Sequence, residues 1–130
     1  MKYLLIIVLL VAVLVTAGCI SENKNTGVPP KPTVTVYFFY GEECPHCHTV
    51  MPFVQNLSKK YPDVNFRILE TWHNTTNADI FSKINDQLQV PASNRGVPEV
   101  IVVGNTTPLI GSREIPAYLE SVIIEQLKKQ

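Results

Sequence analysis

The chain has no excess charge of either sign. Eleven Lys plus Arg stand against eleven Asp plus Glu, a net charge of zero, which argues against a nucleic-acid partner because phosphate binding draws on a basic surplus. Charged residues are few as well, 17% against 45% apolar, and so hydrophobic a composition excludes a disordered chain. Charge-free apolar runs are equally scarce. The one from Tyr3 to Ala17 is too little for a multi-span membrane protein. There is one Trp, there are three Cys, and no internal repeat is visible. Beyond residue 18 remain roughly 110 residues, enough for a single hydrophobic core without a disulfide scaffold.

Lys2, the apolar run and Thr16-Ala17-Gly18-Cys19 have the three-part layout of an export signal. Small residues flanking a cleaved bond let the backbone enter a peptidase site, and a thiol at the new N-terminus can carry a lipid. Thr-Ala-Gly-Cys resembles the lipobox of prokaryotic lipoproteins, which implies lipid attachment at Cys19. From Tyr3 to Ile20 the run would also measure about 27 Å as a helix, against roughly 30 Å of hydrocarbon. Residues 1–19 are therefore read as a signal peptide with lipobox or an N-terminal membrane anchor, with plain cleaved secretion as a third reading. Each places the domain outside the cytoplasm. Residues 20–32, polar and proline-rich without periodicity, read as a flexible linker, and residues 33–130 as the folded domain.

Thr33 to Tyr40 is β-branched and aromatic, and Tyr37-Phe38-Phe39-Tyr40 is apolar on both alternating faces, as expected of a central strand covered on both sides. After Gly41-Glu42-Glu43, apolar residues recur at Val50, Met51, Val54 and Leu57 with helical spacing. Val64, Phe66 and Ile68 alternate with Asn65 and Arg67, a second strand. Ile80, Phe81, Ile84 and Leu88 mark a second helix behind a cap region at Asn74 to Asn77. Val97 to Val103, Gly104-Asn105 and Leu109-Ile110 read as a hairpin. Ile115, Leu119, Val122, Ile123 and Leu127 form a closing amphipathic helix in which Pro116 suits only the first turn. The expected order is β-α-β-α-β-β-α, an α/β fold with a central mixed four-stranded sheet flanked by helices.

Cys44-Pro45-His46-Cys47 lies where the first strand feeds the first helix. Three residues of helix bring Cys44 and Cys47 onto one face, within reach of a disulfide. At a helix start the free N–H groups and the dipole favour a thiolate. Cys44 is then the exchange nucleophile, and Cys47, one turn inside and more buried, resolves the mixed disulfide. Pro45 suits a first helical turn, and His46 can donate a hydrogen bond or a charge to the sulfur; both tune the couple. Glu42 and Glu43 oppose a thiolate weakly.

With strand, Cys44-Pro45-His46-Cys47, helix, Pro52 five residues after the second Cys, and Val97-Pro98 opening a later strand, the chain resembles the thioredoxin superfamily over roughly residues 33–130. Its Cys-Pro-His-Cys is similar to the motif of DsbA, the periplasmic disulfide oxidase. The resemblance implies a cis Val97-Pro98 bond lying against the Cys pair, with Val97 and Pro98 contacting bound substrate, and a tolerated kink at Pro52. Three positions depart from thioredoxin: Phe38 stands where a buried acid lies, Glu43 where Trp precedes the motif, and Glu99 where Thr is frequent. The stretch from Asp63 to Pro98 has no room for the helical insertion of DsbA.

These readings lead to an extracytoplasmic thiol-disulfide oxidoreductase, oxidase or isomerase before reductant. It would act on cysteine-containing exported proteins, with a membrane redox partner, as a monomer without cofactor or metal. A reductant serving cytochrome c maturation is the alternative in reverse. A metal-binding chaperone is a further one, in which Cys44, Cys47, His46 and His48 supply the donors, although only His73 remains elsewhere for the second ligand pair of a structural zinc site. Trp72 and His73 read as a packed loop before a substrate contact. Asn56, Asn74 and Asn105 open glycosylation sequons, the last two in turns.

Overall fold

A computed structural model describes residues 34–130. The readings on residues 1–19, on the linker 20–32 and on Cys19 lie outside these described residues. Among them no helix is long and apolar enough to cross a membrane.

Strand β1 (Val34–Tyr40) leads into helix α1 (Pro45–Lys60), strand β2 (Val64–Glu70) and helix α2 (Thr75–Gln87). After a short 3-10 turn at Ala92–Asn94 come β3 (Glu99–Val102), β4 (Leu109–Ile110) and helix α3 (Gly111–Lys128). The sheet order is β2-β1-β3-β4. β1 is thus central, parallel to β2 with Val34 opposite Val64, and antiparallel to β3 with Phe39 opposite Glu99. The expected βαβαββα fold and mixed sheet are as observed.

β1 buries both faces. Val34, Val36 and Phe38 meet Val50, Val54 and Leu57 of α1 and Ile115, Leu119 and Ile123 of α3 in one core. On the opposite face the Phe39 ring meets Phe81 of α2 edge-on at 5.2 Å, a favourable aromatic geometry. Phe38 and Phe39 are both fully buried, which is why the sequence shows no alternation there.

A side-chain cap accounts for the start of α2. Asn74 accepts the Asn77 N–H at 3.0 Å, satisfying one of α2's free donors. Gly104 turns the β3–β4 hairpin at φ +97°, a left-handed conformation that favours glycine, and a Cβ there would have to displace the end of the Gln126 side chain, 2.6 Å away. Pro52 falls inside α1 on its exposed side, where water can take the carbonyl that a proline leaves without its donor.

Three expectations need correction. Pro116 is the sixth residue of α3, not in its first turn; it is exposed, so the Ser112 carbonyl that loses a donor lies at the helix's open end. Leu88 caps α2 rather than continuing it. The third strand begins at Glu99, not Val97, which leaves Val97 and Pro98 as loop beside the sheet.

Candidate active site at the start of helix α1

The segment after β1 is held by backbone bonds before any side chain acts. Cys44 donates its N–H to the Gly41 carbonyl at 3.2 Å, and its own carbonyl receives the N–H groups of Cys47 at 3.0 Å and His48 at 3.2 Å. Cys44 has extended backbone, φ −81° and ψ 111°, and is the N-cap of α1. Its Sγ accepts the Cys47 backbone N–H at 3.2 Å, occupying the place of a capping oxygen. Pro45, at the next position, has no N–H to leave unsatisfied.

The same Sγ lies 3.8 Å from the Val97 carbonyl oxygen. As a thiol Cys44 donates there; as a thiolate it accepts from the helix. Cys47 is the more buried of the two, 1% exposed against 4% for Cys44, and both are free thiols. Burial, then the hydrogen bond and negative charge of Cys44, push the Cys47 thiol up to about 12 from 9.0, so it holds its proton near neutrality. The sequence-level order, Cys44 outside and Cys47 inside, is the one observed, with a smaller difference in exposure than the nucleophile's role suggests.

Val97 and Pro98 stand beside the pair, and the bond between them is cis. The Pro98 carbonyl accepts the Gly111 N–H at 2.8 Å. With His46, Ser112 and Arg113 they line a groove of about 350 Å³. His46 is exposed; its Nδ1 is 3.4 Å from Ser112 Oγ, a long contact that turns the ring toward the groove instead of over Cys44. The sequence therefore places His46 at the site, but its tuning bond is not to the sulfur here. His48 is exposed, with Nε2 2.7 Å from the Glu42 carbonyl.

The loop after β2, which the sequence reads as packed, forms a rim against Gly41. The Trp72 indole lies on Gly41, where a Cβ would come within 2.3 Å of its ring carbons. Glu70 ties down this rim by accepting the backbone N–H groups of Trp72, His73 and Asn74. His73 pairs with Glu43 at 2.7 Å, which raises the His73 pKa. Glu42, Glu43 and His73 form the cluster of three or more possible metal donors found among the described residues. Neither cysteine is among them, so the donor set envisaged for a metal chaperone does not converge. The signal for the rim lay in Gly41: a glycine directly after a strand marks a close approach.

The chain matches no protein-family model and no curated protein. Solved structures do match. Thioredoxin of Fasciola hepatica superposes with a TM-score of 0.55 at 19% identity, covering 74% of this chain and 83% of that one. Thioredoxin O2 of Arabidopsis thaliana, in its oxidized state, gives 0.55 at 22% identity over 72% and 75%. Thioredoxin of Trypanosoma brucei brucei gives 0.53 at 22% over 75% and 78%. The chain has a thioredoxin fold.

Within the thioredoxin fold this chain carries its Cys-x-x-Cys pair at the N-terminus of the first helix after the central strand. All three departures seen in the sequence have a place in the structure, Glu99 being fully buried. Phe38 packs in the hydrophobic core. Trp72 reaches the rim from the loop after β2, while Glu43 occupies the position before the motif.

Proposed function

We propose that this protein is an extracytoplasmic thiol-disulfide oxidoreductase that exchanges disulfides with cysteines of exported proteins, working as an oxidase or isomerase. The observation that carries the reading is Cys44 as a sulfur N-cap, 3.2 Å from a helix N–H and 3.8 Å from the Val97 carbonyl, with Cys47 protonated beneath it. Cys44 as thiolate attacks one sulfur of a substrate disulfide, the other sulfur leaving with the electron pair and taking a proton. The Cys47 sulfur, losing its proton, then attacks Cys44, and the substrate leaves as a dithiol while the pair becomes a disulfide. Run in reverse, the same steps oxidise the substrate.

Val97 precedes β3, so its backbone is not engaged in the sheet and is available to a substrate strand beside Cys44. An extended peptide in the groove would pair there and bring its sulfur in line with the cap. The membrane tether, through a lipid on Cys19 or an uncleaved helix, belongs to the same proposal. Replacing Cys19 releases the protein from membranes if a lipid holds it; retention selects the helix.

The deciding experiment is the reduction potential of the pair. About −120 mV marks a strong oxidant and about −270 mV a reductant. A value nearer the first supports the proposal. A value near the second reverses its direction.

A further inference from the structure

We propose that Glu99 is carried as the neutral acid, joined to the Asn85 carboxamide by two hydrogen bonds, and that this pair positions Val97 and Pro98 beside Cys44. Glu99 is fully buried, as is Asn85. Asn85 Nδ2 donates to Glu99 Oε1 at 2.7 Å and to the Phe81 carbonyl at 3.1 Å. Both acceptors must face the NH₂ group, so the orientation of the amide is settled: its oxygen points away from Phe81. Two buried atoms are then left without partners, Asn85 Oδ1 and Glu99 Oε2. They are the remaining oxygens of the two groups already joined. With Glu99 ionised both are acceptors and neither is satisfied, a costly arrangement in a buried site. One proton on Glu99 Oε2 makes it the donor to Asn85 Oδ1 and satisfies both at once.

The surroundings agree. β1 presents Phe39 and β4 presents Ile110 across the ladder, and α2 presents Phe81 and Asn85; none carries charge. Arg95 is the cation that favours the carboxylate, together with the Gly96 backbone. Its guanidinium is held by Asp86 at 2.8 Å and its Nε by the Val90 carbonyl at 2.8 Å. Burial outweighs these two and the Asn85 hydrogen bond, the strongest of the three influences that favour the carboxylate, and raises the Glu99 pKa.

The connection to the site is one of sequence and bonding. Glu99 follows Pro98 directly, Pro98 is fixed to Gly111, and the Val97 carbonyl faces Cys44 Sγ. The acid-amide pair fastens the strand end to α2 just where the loop ends. This positioning role rests on the exchange reaction proposed above; the protonation state does not.

Three measurements on the full chain test the proposal. The infrared spectrum near neutral pH should contain a protonated-carboxyl C=O band that Glu99→Gln removes. Glu99→Gln keeps both bonds without needing a proton. It should therefore hold kcat/KM for a disulfide-bonded peptide within about twofold, whereas Glu99→Ala should lose roughly tenfold, mostly through KM. Folding stability of the wild type should fall as pH rises above 4.5, the ordinary Glu value, toward the raised folded value, because the folded state binds the extra proton there; Glu99→Gln should lack that slope. The absence of a protonated-carboxyl band, or a Glu99→Gln variant as impaired as Glu99→Ala, would overturn the proposal. If the wild type exchanges no disulfide, the proposed function and the positioning role fail, while the band and the stability slope still decide the protonation state.

Discussion

Cys47 donates its backbone N–H to Cys44 Sγ at 3.2 Å while its own thiol is sealed beneath. One cysteine caps the helix; the other is inside it. Cys44→Ser should therefore abolish exchange, whereas Cys47→Ser should leave attack intact and accumulate a mixed disulfide with substrate. Non-reducing gels and intact mass read both outcomes, and equal loss without an adduct would contradict the roles.

The Cys47 thiol, pushed up to about 12, gives a pH-dependent prediction. In the reduced protein near pH 8, an alkylating reagent should modify Cys44 and spare Cys47, with peptide mass mapping as the readout. The folded state holds the Cys47 proton more tightly than the unfolded chain. Stability of the reduced domain should then decline as pH rises from about 9 toward about 12, the window between the two values.

His46 faces the groove and Ser112, yet it remains two residues from Cys44, the nucleophile and cap. Its cationic form favours the reduced pair through space. His46→Ala should lower the reduction potential by on the order of 20 mV, equivalent to about 1 kcal/mol. Equilibration with a glutathione buffer measures this, and an unchanged potential would remove His46 from the tuning of the pair.

Gly41→Ala places a methyl group where the Trp72 ring now lies. Either the ring or the loop before Cys44 must shift, a cost of about 1–3 kcal/mol. Trp72 is the single tryptophan and is half exposed, so its fluorescence reports the displacement. Reduced melting temperature with a changed emission spectrum is expected; an unaltered spectrum would contradict the contact.

Elements with a strong local signal were legible in the sequence. Tyr37 to Tyr40 is apolar on both faces because β1 is central in the sheet and helices pack on each side of it. The Cys44 to Cys47 spacing and Pro45 mark a helix start that the N-cap geometry bears out, and Val97-Pro98 arrives beside the pair as the resemblance implied. What escaped was made by residues distant in the chain. Trp72 reaches Gly41 across the β1–β2 edge, and Asn85 meets Glu99 from a helix on the other face. A charged residue in the otherwise apolar run from Val97 to Val103, and an asparagine four residues after Phe81 on an apolar stripe, were the available hints. Burial alone gives them meaning. Pro116 was misplaced because α3 starts at Gly111 directly after β4 with no side-chain cap to mark it, while its apolar periodicity begins only at Ile115.

The central claim is that Cys44 and Cys47 interconvert between dithiol and disulfide. Titration of the full chain across glutathione redox buffers, with acid quenching and thiol counting by mass, tests it most directly. The account predicts a single two-electron transition linking the pair. Two thiols that persist at every buffer ratio would contradict it.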